Sequence, residues 1–194
     1  MGLIPADAAV RSSVGLRWAM GAAALAVLAA DQVSKSLVLA ADPAGPVGYG
    51  WISVRLVRNT GASGGLASGY PVLVTLAALA VTALAATFAL RARGRAAALC
   101  LALVLGGAVG NLADRLLRAP GFGRGGVVDW IHLGGSGGSM DIADIAIQLG
   151  VVGAVVGIVA RGRLRRPRQA AAGTASEPAV RADGGPGAGA AGPR

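Results

Sequence analysis

Nine acidic residues occur in this 194-residue chain, and five of them, Asp31, Asp114, Asp129, Asp141 and Asp144, lie inside or at the edge of apolar stretches. Ionisable groups at membrane depth are costly and mark functional positions by default. Two carboxylates held together in a low-dielectric place cannot both ionise easily, so one keeps a proton. Such a pair can activate water with one member and protonate a leaving group with the other, hydrolysing an amide without metal or covalent intermediate. Other chemistries find little to build on. Cys100 is the only cysteine and His132 the only histidine. That excludes an intrachain disulfide and a cysteine zinc cluster, and it leaves a nucleophile–histidine set or a histidine metal site without partners. No metal and no cofactor is expected. Proton-coupled transporters also keep intramembrane acids, so a polytopic transporter relaying protons through Asp31, Asp114 and Asp144 is the alternative from another class.

Each acid also has a plainer use. Asp31 and Lys35 are four apart on one helix face and form an expected ion pair bracing the site. Asp114 beside Arg115 suits interfacial anchoring, and Asp141 suits an N-cap for the helix that follows. Asp144 is harder to explain this way, because it falls in the first turn of an apolar helix with no basic residue nearby in sequence. Asp129 stands between Val128 and Trp130, where an unpaired carboxylate is poorly solvated. Asp7, Glu177 and Asp183 belong to the chain ends, and Asp42 to a loop.

The elements that must position these groups are membrane spans. The chain is 54% hydrophobic and 14% charged, against roughly 25% charged residues in soluble domains, and its apolar residues come in long runs. Four segments suit helices of about 20 residues: Leu16 to Leu39, Tyr70 to Leu90, Ala96 to Leu117, and Ile142 to Ala160. The first continues through Asp31 and Lys35, so it reads as a retained helix rather than a cleaved signal. With aromatics at 4%, the helices must pack on Ala, Val, Leu and Gly. The net charge of +9 is clustered at span ends without interleaved aromatics, which argues against nucleic-acid binding.

Basic residues set the orientation. Arg11, Arg17, Arg91, Arg93, Arg95, Arg161, Arg163, Arg165, Arg166 and Arg168 fall on one side, and Arg55, Arg58, Arg118 and Arg124 on the other. Ten against four places both termini in the cytoplasm and the segments 40–69 and 118–141 outside. A rise of about 1.5 Å per residue puts Asp31 roughly 22 Å and Asp114 roughly 27 Å from the cytoplasmic side, level with the other three acids near the outer boundary. Within the outer segments, Trp51 to Arg58 alternates, with Ile52, Val54 and Leu56 on one face, and Val127 to Leu133 is a β-branched run; both predict short strands. The expected organisation is a cytoplasmic N-terminus over 1–15, a four-helix transmembrane domain over 16–160, and a basic tail over 161–194, disordered beyond Arg168.

Five motifs occur in order along these spans: Asp31-Gln32-Val33-Ser34-Lys35, Arg58-Asn59-Thr60-Gly61-Ala62, Gly106-Gly107 through Asn111-Leu112-Ala113-Asp114-Arg115, Val127-Val128-Asp129-Trp130, and Asp141-Ile142-Ala143-Asp144. Together, over residues 15 to 160, they resemble the lipoprotein signal peptidases (signal peptidase II) of bacteria. The resemblance implies an integral membrane protein of four transmembrane helices with a small extracytoplasmic β-cradle, in the bacterial cytoplasmic membrane. It implies an aspartic endopeptidase with Asp129 and Asp144 as catalytic carboxylates, supported by Asp31, Lys35, Asn59, Asn111, Asp114 and Arg115. The implied substrate is a diacylglyceryl prolipoprotein that enters laterally from membrane lipid and is cut just before its lipidated cysteine. Asn59, Asn111 and Arg115 would then hold substrate carbonyls or the developing oxyanion.

Two departures from the family pattern bear on activity and keep open a catalytically inactive, lipoprotein-binding member. Ser63-Gly64-Gly65 follows Ala62 where the family has an aromatic residue, which predicts a looser cradle or a different grip on lipid. Met140-Asp141 replaces Phe-Asn, which places a third carboxylate on the helical face of Asp144. Like-charge repulsion from Asp141 predicts a raised pKa for the catalytic pair. Gly106, Gly107 and Gly110 are expected to serve close helix packing.

Overall fold

The computed structural model describes residues 6–41, 43–92, 94–134 and 138–174. Asp42, Arg93, Glu177 and Asp183 lie outside the described residues, as do the first five and last twenty positions of the two terminal segments. Residues Met1–Gly157 form one compact unit and Ile158–Arg194 a second.

Four helices carry the apolar runs: α1 (Ala6–Ala41), α2 (Pro71–Arg91), α3 (Arg95–Leu117) and α4 (Ile142–Thr174). Each contains a stretch long and apolar enough to cross a membrane. Their bounds differ from the sequence expectation mainly at the ends. α2 begins at Pro71 with Tyr70 as N-cap, because proline suits the first helical position, where no amide hydrogen is needed. α4 runs past Ala160 to Thr174, beyond the Arg168 boundary expected for disorder; its Ala, Arg, Leu and Gln are strong helix formers. Large apolar side chains such as Trp18, Leu25, Leu73 and Leu84 point outward, as suits a lipid-facing surface.

Helix α3 is the centre of the bundle and touches both α1 and α2. It is able to do so because its inner face is made of small residues: Ala98 and Ala102 are fully buried, and the glycines permit backbone-to-backbone approach. A Cβ at Gly106 would lie 2.6 Å from the Ala24 carbonyl oxygen on α1, and one at Gly107 would collide with the Ala143 carbonyl on α4. At Gly110 it would sit 2.6 Å from the Asp31 carboxylate. The packing role expected of these glycines is therefore met, and Gly110 additionally makes room for a functional side chain.

The loops between the spans build a four-stranded antiparallel sheet of order β1-β2-β3-β4, with β1 Val47–Tyr49, β2 Ile52–Asn59, β3 Val127–Leu133 and β4 Ser139–Met140. Strand β3 covers the β-branched run expected of it. In β2 the simple alternation fails. Val54 pairs with Ile131 and Val57 with Asp129, so three steps on β2 match two on β3. That extra residue is a β-bulge, and it reverses which side chains share a face. Leu56 and Arg58 leave the face of Val54, while Val57 and Asn59 join it alongside Asp129.

Candidate active site

Two clusters of carboxylates meet where α1, α3, β3 and the start of α4 converge. The first is organised around Lys35. Its ammonium lies 2.8 Å from Asp31 Oδ2, 2.8 Å from Asp114 Oδ2 and 2.7 Å from Asp141 Oδ2, and all four side chains are fully buried. It also donates to Asn111 Oδ1 at 3.2 Å. A buried ammonium needs this company, because desolvating an uncompensated charge costs several kcal/mol. The expected Asp31–Lys35 pair forms, and it is one arm of a four-membered hub. Asp114 is buried within that hub, where the sequence had suggested interfacial anchoring.

The hub ties elements together. Asp114 Oδ2 accepts the Val128 amide at 3.2 Å, fixing β3 to α3. Its other oxygen accepts from Arg118 and from Gln32 Nε2. Gln32 donates as well to Asp31 and to the Gly110 carbonyl. Neither Gln32 nor Arg118 was singled out in the sequence. The spacing of Arg118 four residues beyond Asp114 is the signal that could have revealed it. Asp31 Oδ1 accepts the Ala143 amide at 3.1 Å, and Asp141 Oδ1 accepts the Asp144 amide at 2.7 Å. Asp141 is thus the N-cap of α4 as well as a partner of Lys35, and two of the free amides that begin every helix are satisfied by carboxylates.

The second cluster is Asp129 and Asp144. Asp129 comes from the buried half of β3, and Asp144 from the first turn of α4, so a strand and a helix end bring them together. Oxygens of Asp129, Asp141 and Asp144 all lie within 4.8 Å of one another. A divalent ion could bridge such a set, although Lys35 already supplies the positive charge beside Asp141. Asn59 Nδ2 donates to Asp129 Oδ2 at 3.2 Å, and Asn111 Nδ2 donates to Asp144 Oδ1 at 2.9 Å. Asp129 Oδ1 is buried without a hydrogen-bond partner among the described residues.

The environment discourages ionisation of Asp129. Burial, then the negative charges of Asp141 and Asp144, push its pKa up to about 7, against the weaker pull of the Asn59 amide and Lys35. Burial also raises Asp141, to about 6; the charge of Lys35 opposes this, and Asp144 and Asp31 add to it. The upward push of Asp141 on Asp129 has the direction expected from the sequence, though burial is the larger cause.

The amide and guanidinium groups that the resemblance assigns to substrate oxygens also bind groups of the chain itself. Asn59 Nδ2 donates to Asp129 and to the Ala62 carbonyl at 3.4 Å, Asn111 Nδ2 donates to Asp144, and Arg115 Nε is buried without a hydrogen-bond partner among the described residues. Asn59 Oδ1 accepts the Gly61 amide at 3.0 Å, bracing the loop after β2. Arg115 donates to the Gly61 carbonyl at 2.9 Å and to the Asn111 carbonyl at 3.2 Å, so it straps that loop onto α3. The segment Ser63–Gly65 forms a short 3-10 turn. Ala62 donates to the Leu66 carbonyl at 2.7 Å across it, and Gly64 and Gly65 take positive φ, a conformation an aromatic residue would resist.

The chain is 37% identical over 154 residues to the lipoprotein signal peptidase of Streptomyces griseus, covering 77% of this chain and 78% of that one. It is 39% identical over 136 residues to the lipoprotein signal peptidase of Bifidobacterium adolescentis, covering 69% and 72%. A solved bacterial membrane enzyme shares the fold, with a TM-score of 0.64 at 23% identity over 73% of this chain and 87% of that one. The profile of the signal peptidase (SPase) II family matches residues 23–160, a stretch that holds Asp31, Asp114, Asp129, Asp141, Asp144 and the whole sheet. This multi-pass membrane protein therefore belongs to the signal peptidase II family of aspartic-type peptidases.

Proposed function

We propose that the chain removes the signal peptide from diacylglyceryl-modified prolipoproteins, cutting before the lipidated cysteine, with Asp129 and Asp144 as its catalytic carboxylates. The observation that carries this reading is the meeting of those two side chains with Asp129 pushed up to about 7. At neutral pH a pair of this kind shares one proton. Asp129 holds the proton and Asp144 stands at the amino end of α4, where the helix favours negative charge. Asp144 takes a proton from water as the oxygen attacks the scissile carbonyl. Asp129 gives its proton to the departing amine.

Asn59 and Asn111 act as positioning residues, each fixing one carboxylate, and Arg115 fixes the loop that carries Asn59. Lys35, Asp31, Asp114 and Asp141 hold β3 and α4 in register. The excess of arginine on one side supports cytoplasmic termini and a site at the outer membrane face. There a signal-peptide helix enters sideways from lipid and presents its lipidated end to the sheet. Purified protein incubated with a diacylglyceryl prolipoprotein should release the signal peptide, and Asp129→Asn and Asp144→Asn should each abolish release while remaining folded. Failure of the unaltered protein to cleave would favour an inactive lipoprotein-binding member; cleavage surviving either substitution would discard the assignment.

A further inference from the structure

A large cleft lies at the other end of α3 from the carboxylates, between the first half of α1 and the turn joining α2 to α3. Its volume is about 1420 Å³, above the roughly 300–1,000 Å³ usual for small-molecule sites. Ala98 is about 16 residues from Asp114 along α3, which separates cleft and active site by roughly 24 Å. Three arginines from three segments line it: Arg17 on α1, Arg91 at the end of α2 and Arg95 at the start of α3. All three are exposed, and none makes an ion pair among the described residues. Among the described residues no acidic side chain lines the cleft. The remainder of its wall is apolar and built from small residues such as Ala19, Ala23 and Ala98.

The start of α3 adds to this positive field. Gly94 is its N-cap and supplies no side-chain hydrogen bond, and the first turn holds no acid. Its first amides therefore lack helical acceptors and, with the helix dipole, favour an anion. An arginine at the first helical position would ordinarily be unfavourable there. Three cations and an uncapped helix end around an apolar slot, all within or bordering membrane spans, form a surface that is complementary to one kind of molecule. It combines a negative headgroup with a long hydrocarbon tail.

We propose that this cleft binds an anionic phospholipid, its phosphate against Arg17, Arg91 and Arg95 at the α3 amino end and an acyl chain lying along Ala19, Ala23 and Ala98. Phospholipid and substrate sites are then distinct, at opposite ends of the bundle. The test uses the full chain in neutral detergent, titrated with phosphatidylglycerol or with phosphatidylcholine of the same acyl chains, and bound lipid counted by native mass spectrometry. Phosphatidylglycerol should bind saturably and at least tenfold more tightly. Arg17→Gln/Arg91→Gln/Arg95→Gln should erase that preference at unchanged melting temperature, and Ala19→Phe, which fills the slot, should weaken retention of phosphatidylglycerol at least tenfold with all arginines present. Equal affinity for the two lipids would overturn the proposal. So would a preference that survives the triple substitution, full retention in Ala19→Phe, or displacement by glycerol phosphate at concentrations equal to the lipid.

Discussion

The two carboxylate clusters differ in how completely they are paired. Around Lys35, three buried aspartates share an ammonium and accept helix, strand and side-chain donors on nearly every oxygen. A few ångströms away, Asp129 and Asp144 receive one amide donor each, and one oxygen of Asp129 has none. Burial is similar for Asp129 and the hub, so burial alone does not separate scaffold from chemistry. The separating feature is direct contact with a cation: each hub aspartate touches the Lys35 ammonium, whereas among the described residues neither Asp129 nor Asp144 makes an ion pair, and Arg115 and Lys35 act on Asp129 only from farther off. Asp141 belongs to both sets and links them.

That contrast can be broken most severely at Lys35. Lys35→Met strands three buried carboxylates around an apolar chain, and removing one partner of a buried ion pair costs about 3–5 kcal/mol. The expected outcome is loss of folded protein from detergent extracts, read by size-exclusion chromatography; a well-folded variant with normal yield would show that the hub is not structural. Asn111→Ala comes next, since it removes a donor from Asp144 and an acceptor from Lys35 together. Cleavage should fall by about 10²-fold, consistent with a misplaced catalytic group, with a smaller change in stability.

Asp129→Asn should move stability in the opposite direction. The folded-state pKa of Asp129 is raised above its unfolded value, so its contribution is fully present below pH 4 and is lost as pH rises through about 7. At pH 8 the substitution removes an unfavourable buried charge and should raise the melting temperature by roughly 3 °C. At pH 4 the two proteins should melt together, and a variant less stable at pH 8 would contradict the assignment of an unpaired carboxylate.

The smallest effect concerns the residue shared by both clusters. An asparagine at 141 still offers an oxygen to the Asp144 amide but carries no charge. In Asp141→Asn the pKa of Asp129 should fall, moving the alkaline limb of the pH–rate profile down by on the order of one unit. An unmoved limb would mean that Lys35 screens Asp141 completely.

Much of this site was legible in the chain because its signals are local. Hydropathy marked the four spans, spacing gave the Asp31–Lys35 pair, and aspartate before an apolar helix gave the Asp141 cap. The five acids stood out because so few charges interrupt the apolar runs. What stayed hidden depends on partners distant in sequence. Gln32 reads as an ordinary polar neighbour until α3 is placed against it, 78 and 82 residues on. That Asn59 and Asn111 reach an aspartate and Arg115 the Gly61 carbonyl was hidden too, because these partners lie 70, 33 and 54 residues away. The three-residue β1 and two-residue β4 are too short for periodicity to reveal. The bulge in β2 is invisible for a different reason: alternation predicts faces only if the ladder is unbroken.

The spare residue between Val54 and Val57 works as a counting device. A chain one residue shorter there could pair evenly and still deliver Asn59 to Asp129, so a deletion at Arg55 is a tolerable edit. A one-step slip of the intact strand is not, because it exchanges a neutral amide for the guanidinium of Arg58. A permanent positive neighbour would hold Asp129 ionised at every physiological pH, and an enzyme of this design would be switched off with all its aspartates in place.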